Sequence, residues 1–169
     1  MKKQGFTLIE LMVVIVIMGI LAAVAVPKLF GMIAKSKASE IGPAACEYIK
    51  LQDAYVSETG QYVGKWSTIG YTMSTSTPSF AYSDELQITG TAVSTTIPTS
   101  AGKAWKAKAQ VGLNDCDKGS TWVLYLKADA SGNGLTWGAG VKDGNADAAE
   151  LDMDAGCSVL TPQFINFRS

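Results

Sequence analysis

The stretch Gly5–Leu29 reads GFTLIELMVVIVIMGILAAVAVPKL, and it decides the fold of this chain of 169 residues. The 21 residues from Phe6 to Val26 contain one charged side chain, the carboxylate of Glu10. As an α-helix rising about 1.5 Å per residue, they span roughly 31 Å, close to the thickness of a membrane's hydrocarbon core. A charge inside such a segment costs free energy and usually has a function. The pattern predicts a membrane-spanning helix with a functional carboxylate near its start.

The residues on either side of this segment indicate its orientation. Lys2 and Lys3 precede it, and by the positive-inside rule they place the N-terminus in the cytoplasm. Everything after Pro27 is therefore expected outside the cytoplasm. A secretory signal peptide is the main alternative, but its apolar region is typically about 7–15 residues long. The longer run in this chain favours a spanning helix.

The overall composition argues against several classes of function. The chain has no histidine, which removes the most common general base and transition-metal ligand. The net charge is −1, so the totals show no electrostatic signal for nucleic acid. Neither an enzyme nor a nucleic-acid-binding protein is favoured.

The N-terminal sequence KKQGFTLIELMVVIVIMGILAAVAVP resembles that of type IV pilins and of type II secretion pseudopilins. The resemblance rests on a basic leader ending in Gly5, on Phe6 and Glu10, and on an apolar helix that reaches Pro27. It implies that a prepilin peptidase cleaves between Gly5 and Phe6 and methylates the new amino group of Phe6. It also implies that Glu10 pairs with the Phe6 amino group of a neighbouring subunit in a filament.

Two other interpretations of Glu10 stay open. After cleavage, the amino group of Phe6 in the same chain lies about one helical turn away and can serve as the cation. Alternatively, the segment is a simple signal anchor and Glu10 reaches toward the lipid head groups. The number of motif positions matched together favours a role in assembly over the simple anchor.

A second apolar stripe extends the helix beyond the membrane. Ile41, Ala44, Tyr48, Leu51 and Tyr55 recur at spacings of three and four residues, which is typical of an amphipathic helix. A glycine follows at position 60, where it can cap the C-terminus of a helix. We therefore predict one long helix over about residues 6–59.

Three residues are expected to distort this helix, namely Gly19, Pro27 and Pro43. Each proline lacks a backbone N–H and clashes with the carbonyl group four residues earlier, that of Ala23 or Ser39. In the filaments that this chain resembles, the stretch between such a glycine and proline loses helicity on assembly. The predicted organisation is a leader peptide at 1–5, a transmembrane and filament-core helix at 6–27, an amphipathic helix at 28–59, and a head at 60–169.

Strand-length runs follow the helix. In KAWKAKAQVGL, Trp105 and Ala107 alternate with Lys106 and Lys108, and TWVLYLKA at 121–128 alternates in the same way. The turn-rich ASGNG joins the second run to LTWGAGV. Packing these strands on the helix predicts an α+β fold with a long N-terminal helix on an antiparallel sheet of three to four strands. Residues 61–102 are predicted as a helix-to-sheet loop with strand-like pieces around 86–93.

The chain has three cysteines, Cys46, Cys116 and Cys157. Outside the cytoplasm two of them should form a disulfide, and three pairings are possible. Cys116 and Cys157 lie in turn-rich sequence flanking the hairpin, so we favour this pair and expect Cys46 to be a buried free thiol. The pairing also resembles the C-terminal disulfide loop of many type IV pilins. A bond from Cys46 to either of the others would tie the helix to the sheet.

The acidic run DGNADAAELDMD at 143–154 contains oxygen ligands of the kind that calcium takes. The candidate ligands are Asp143, Asn145, Asp147 and Asp154. The run begins like an EF-hand loop but has Ala148 in place of the turn glycine, and Asp154 in place of the closing glutamate. A solvated acidic loop is favoured over a metal site, and no cofactor is expected.

A small basic patch, formed by Lys103, Lys106 and Lys108 beside Trp105, is a possible surface for DNA or other anions. Their alternation with apolar residues favours the solvent face of a strand instead.

Three functional hypotheses follow. The first is a major pilin, the structural subunit of a type IV pilus that serves adhesion or motility. The second is a major pseudopilin of a type II secretion system. The third, a membrane-tethered enzyme or binding domain, is disfavoured because the sequence has no histidine and no nucleophile or phosphate motif.

The predicted disulfide and the long Thr/Ser-rich insert favour the pilin. Its expected partners are further copies in a helical filament, a prepilin peptidase and inner-membrane assembly machinery. The subunit would cross the inner membrane once before assembly and lie in an extracellular pilus afterwards.

Overall fold

The computed structural model describes residues 5–167. It has the predicted α+β architecture, in which a long N-terminal helix packs on antiparallel sheet. The elements in chain order are α1 (Leu8–Ala38), α2 (Ile41–Thr59), β1 (Tyr62–Gly64), α3 (Trp66–Ile69), β2 (Phe80–Asp84), β3 (Ser94–Thr96), β4 (Gly102–Ala109), β5 (Thr121–Ala128), β6 (Leu135–Lys142), α4 (Ala155–Ser158) and a final 3₁₀ helix (Phe164–Phe167).

The long helix is divided at Ser39 and Glu40. Helix α1 continues as one segment through Gly19 and Pro27, and the division comes just before the second proline, Pro43. Pro43 has no N–H with which to bond the carbonyl group of Ser39, so the regular ladder stops there. Ser39 and Glu40 keep right-handed helical dihedrals, with φ −63°, ψ −18° and φ −72°, ψ −23°. The predicted long helix is therefore confirmed, as two segments joined by a short junction.

Glu40 ties this junction to the sheet. Its Oε1 accepts hydrogen bonds from Thr77 Oγ1 at 2.6 Å and from the Tyr82 hydroxyl at 3.0 Å. Burial, followed by the negative charge of Glu40, raises the pKa of Tyr82, so this hydroxyl keeps its proton. Because Tyr82 lies in β2, the junction is held by a strand at the edge of the main sheet.

The main sheet has four antiparallel strands in the order β2-β4-β5-β6. The three predicted strands are β4, β5 and β6, and the turn at 129–134 places Ala128 opposite Leu135. The fourth strand, β2, comes from the segment that we predicted as a loop. The predicted strand-like region at 86–93 is wrong, because no strand forms there. Strand β3 begins directly after it and pairs with β1 in a separate two-stranded sheet.

Helix α2 packs one face on the main sheet. The first three residues of the predicted stripe are buried, whereas the last two, Leu51 and Tyr55, are only half-buried. Gln52 and Val56 are buried in their place, because the stripe continues from Tyr48 in steps of four residues. Gly60 caps the helix as predicted, with a φ of 87° that suits glycine.

The opposite face of the sheet is also covered. Val123 and Tyr125 lie on the face of β5 opposite Trp122, and they are only 0% and 7% exposed. The loop at 143–152 folds over them and places Ala148 against both. Gly140 in β6 permits this close approach, since a Cβ at that position would overlap the carbonyl oxygen of Ala149. Strand β5 is therefore buried on both sides.

Candidate functional site

The N-terminal helix begins with a reciprocal pair of hydrogen-bonding residues, Thr7 and Glu10. Thr7 has extended backbone dihedrals, φ −79° and ψ 148°, and α1 starts at the next residue, two residues later than predicted. The Thr7 N–H and hydroxyl donate to Glu10 Oε2 at 2.9 and 2.6 Å, and the Glu10 N–H donates to Thr7 Oγ1 at 3.3 Å. This capping box satisfies backbone donors that the first helical turn leaves unpaired.

The Gly5–Phe6 peptide lies just before this cap and is open on all sides. The side chain of Phe6 is 91% exposed. A Cβ added to Gly5 would have nothing within 4 Å, and this residue has no positive φ. The fold itself therefore does not require glycine at position 5. A strict requirement for glycine would have to come from a molecule that acts on this bond.

The first half of α1 presents apolar side chains in every direction. All its large apolar residues from Leu8 to Phe30 are at least 46% exposed, and the buried residues of the helix are Ala34 and Ala38, near its end. This helix is long and apolar enough to cross a membrane, and its most apolar 18-residue window has no part buried in the described chain. A surface of this kind requires lipid or other protein to cover it.

The structure contains a disulfide between Cys116 and Cys157, the pairing that the sequence favoured. It links the β4–β5 connection to α4, with 4.8 Å between the two Cα atoms. Next to it, Asp143 Oδ1 accepts hydrogen bonds from the Ser120 hydroxyl and the Asp117 N–H, both at 2.7 Å. These bonds lower the pKa of Asp143. The expectation for Cys46 was wrong in one respect, because its free thiol is half-buried and not fully buried.

The four calcium candidates each have a separate role in the protein. Asp143 organises the disulfide connection, Asp147 lies 2.7 Å from Lys103 Nζ, and Asp154 caps α4 by accepting from the Gly156 N–H at 3.0 Å. Asn145 packs against a glycine of the β4–β5 connection. Within residues 5–167, the metal-type ligand atoms that cluster are those of Asp143 and the two disulfide cysteines. Sulfurs joined in a disulfide provide no thiolate ligand, so this cluster is not suited to a metal.

Two of the three lysines of the basic patch, Lys103 and Lys106, are engaged in ion pairs, whereas Lys108 is exposed. Lys106 Nζ lies 2.8 Å from Glu85 and 3.4 Å from Asp147, and burial of this amine is outweighed by these carboxylates, which raise the pKa of Lys106. Trp105 is fully buried and cannot stack on a base. With two of its lysines paired and its tryptophan buried, the patch fits the solvent face of a strand, which is the interpretation that the sequence favoured.

Thr7 was not predicted as a partner of Glu10. The signal was present, because Thr7-Leu8-Ile9-Glu10 has the spacing of a capping box directly before an apolar run. The partner that we expected for Glu10 was an amino group. The spacing between Thr7 and Glu10 was interpreted only as part of the motif of the resembling family.

Comparison with known proteins agrees with the N-terminal geometry. Residues 1–26 match the family model of the prokaryotic N-terminal methylation motif. The chain is similar to the type IV major pilin protein PilA of Myxococcus xanthus, with 40% identity over 70 residues, which cover 41% of this chain and 32% of that protein. It is also similar to the type IV major fimbrial protein FimA of Dichelobacter nodosus, with 44% identity over 59 residues, covering 35% of this chain and 29% of that one.

These matches show that part of the chain is similar to type IV pilins. A second FimA sequence is 44% identical over 62 residues, covering 37% of this chain and 38% of its own length. The chain thus spans less than two fifths of the length of these relatives.

Proposed function

We propose that this chain is a major pilin, the structural subunit of a type IV pilus that serves adhesion or motility. The subunit polymerises through α1 into a helical filament, with the head on the outside. It performs no catalysis. The observation that carries this proposal is an apolar helix that the head leaves uncovered, with one carboxylate at its start.

The apolar surface of α1 must be covered first by membrane lipid and then, in a filament, by protein. Before assembly the inner membrane covers it, and its length matches one crossing. In a filament outside the cell, the α1 helices of other copies are the apolar surface available to replace lipid. A pilin that moves from membrane to filament therefore keeps this helix covered throughout.

Processing supplies the cation that Glu10 needs. Cleavage by a prepilin peptidase after Gly5 creates an amino group on Phe6, which the same enzyme methylates. In a filament core, this amino group and Glu10 of an adjacent subunit compensate each other's charge, which lowers the cost of burying either one. Intact-mass analysis of filament subunits should give a chain that begins at methylated Phe6. A mass that still includes Met1 to Gly5 would contradict the proposal.

A major pseudopilin is the alternative within the same family. The disulfide favours the pilin, as does the use of the acidic loop residues in protein contacts. Pseudopilins, which the chain also resembles, bind calcium in this C-terminal region. Genes for a retraction ATPase beside this gene would support the pilin, and genes for a secretion gate would support the pseudopilin.

The deciding experiment replaces Glu10 in two ways. Glu10→Gln removes the charge but keeps a side chain that can complete a capping box, whereas Glu10→Ala removes both. If charge pairing drives assembly, both variants should be inserted and cleaved normally, yet neither should form filaments on its own. Glu58→Gln, at an exposed carboxylate near the end of α2, is the matched control and should assemble.

The three outcomes are distinguishable by microscopy of cells that express each variant alone. Normal filaments from Glu10→Gln with none from Glu10→Ala would assign Glu10 to helix capping and reject charge pairing. Normal filaments from both variants would reject any role of Glu10 in assembly.

A further inference from the structure

An apolar groove lies on the head beside the junction between α1 and α2. One wall is formed by residues on either side of the junction, namely Ala38, Pro43 and Cys46. The other wall is the C-terminal segment, with Leu160 and Phe164. The groove has a volume of about 390 Å³. It exists because Gly42 contributes no side chain, so the surface between the two walls stays open.

The lining of the groove is uncharged. Its polar members are Ser39, Thr161 and Gln163, and none of the lining residues is acidic or basic. The hydroxyl of Thr161 already accepts a hydrogen bond from Trp122 Nε1 at 2.8 Å. The rest of the surface is aliphatic, aromatic or sulfur-containing, so the groove suits an occupant that is apolar and uncharged.

We propose that this groove receives the apolar face of helix α1 from a second copy of the chain. The argument rests on the proposed function, because it assumes that copies assemble through α1. The 17 residues between Glu10 and Lys28 contain no charge, which matches the uncharged lining. Burying apolar surface in this way stabilises the contact.

The position of the groove supports the same occupant. Ala38 is both the last residue of α1 and part of the groove wall, so the groove continues directly from the helix that assembly must cover. A neighbouring α1 that packs alongside this helix runs toward the groove. The head then contributes to holding the neighbour, and assembly does not depend on contacts between α1 helices alone.

Cys46 provides a native reporter for the groove. It is half-buried in the wall and is the free cysteine of the described chain, since the other two form the disulfide. Wild-type filaments, confirmed by microscopy, and detergent-solubilised subunits are treated with the same maleimide. Assembly should slow the labelling of Cys46 at least tenfold. Equal labelling rates in the two states would overturn the proposal.

Cross-linking identifies the occupant. Single cysteines are introduced along α1 from Leu11 to Phe30, and assembled filaments are oxidised with copper phenanthroline. Disulfides between Cys46 and α1 of another copy should form at positions three or four residues apart, as expected for one helical face. Protection of Cys46 without any such cross-link would show that another surface or a lipid fills the groove, and would overturn the proposal.

A substitution that fills the groove tests its contribution to assembly. Gly42→Leu places its side chain at a position where a Cβ has nothing within 4 Å, and its remaining atoms extend into the groove that Gly42 lines. The processed subunit should accumulate in the membrane while the number of filaments falls at least tenfold. Ala54→Leu, at an exposed position of the same helix, is the control and should assemble normally. Normal assembly of Gly42→Leu would overturn the proposal even if the Glu10 variants fail to assemble, so the two proposals are tested separately.

Discussion

The side chain of Gln52 and the backbone of Gly64 form two reciprocal hydrogen bonds. Gln52 Nε2 donates to the Gly64 carbonyl oxygen at 2.6 Å, and the Gly64 N–H donates to Gln52 Oε1 at 3.2 Å. Gln52 is fully buried, and its Nε2 also donates to the Tyr48 hydroxyl at 3.0 Å. One amide side chain in α2 thus pairs the backbone of β1 and attaches it to the helix.

Gln52→Leu should strongly destabilise the head. The substitution keeps an apolar side chain of similar size but leaves the N–H and carbonyl group of Gly64 buried without partners. Each unsatisfied group costs about 1–3 kcal/mol, so the loss of both should lower the free energy of unfolding by about 2–6 kcal/mol. Chemical denaturation of the full chain in detergent measures this. Glu58→Gln, exposed on the same helix, is the control, and an equal effect from both variants would contradict the assignment.

Removal of the disulfide should have an effect of similar size. Cys116 and Cys157 are 41 residues apart, and closing a loop of this length stabilises the fold by about 4 kcal/mol on the chain-entropy model. The double variant Cys116→Ser/Cys157→Ser should lose most of this. Cys46→Ser is the control and should unfold like the wild type. Non-reducing peptide mapping should find the 116–157 link, and a peptide joined through Cys46 would contradict it.

The ion pair of Asp147 predicts a pH dependence. The hydrogen bond from Lys103 and the charge of Lys106 lower the pKa of Asp147 from its ordinary value of 3.8. A carboxylate with a lowered pKa in the folded state stabilises the fold above its unfolded-state value, and this stabilisation is lost as the pH falls through the lowered pKa. Because the side chain is 35% exposed, the pair contributes only about 0.5–1 kcal/mol.

Asp147→Asn should therefore lower the melting temperature at pH 7 by about 2–4 °C. The difference between wild type and variant should narrow as the pH falls below 3.8, where the wild-type carboxylate becomes protonated. Thermal unfolding followed by circular dichroism at several pH values measures both effects. A difference that is constant from pH 7 to pH 2 would show that the ion pair is not its cause.

Gly140→Ala should displace the loop at 143–152. The new methyl group would overlap the carbonyl oxygen of Ala149, which belongs to the backbone and has little freedom to move away. Glu150 in this loop is already exposed, and displacement frees the backbone around it, so a glutamate-specific protease should cut the variant faster than the wild type. Gly112→Ala is the control, because a Cβ there has nothing within 4 Å. Equal cleavage of both variants would contradict the role of Gly140.

The elements that the sequence predicted correctly are those with a strong local period. The strands β4 to β6 alternate over about eight residues, and the proline at position 43 marked the division of the helix. In contrast, β2 lies in a Thr/Ser-rich segment whose pairing with β4 depends on contacts about 25 residues apart. The burial of the second face of β5 could not be predicted either. The loop at 143–152 that covers it lies outside the strand, and it approaches closely because Gly140 has no side chain.

The features of the candidate site also differ in how well the sequence predicts them. Gly5, Phe6 and Glu10 belong to a contiguous motif and were identified from the sequence. Their roles in processing and assembly stay predictions. Thr7, the capping partner of Glu10, lies only three residues away in the sequence, but the capping-box spacing was not used to predict this pair. The groove could not be predicted, because it joins the helix junction to a C-terminal segment more than 100 residues away, and no local pattern reports such a contact.

The attachment of Glu40 to the sheet has a mechanical consequence. A pull along α1 enters the head at the junction, since the buried residues of that helix are Ala34 and Ala38, close to its end. Glu40 passes the tension through its bonds with Thr77 and Tyr82 into β2, and Tyr82 lies opposite Ala107 in the β2–β4 ladder. Helix and sheet thus bear the load together, so the place where the helical ladder is interrupted is reinforced by the sheet.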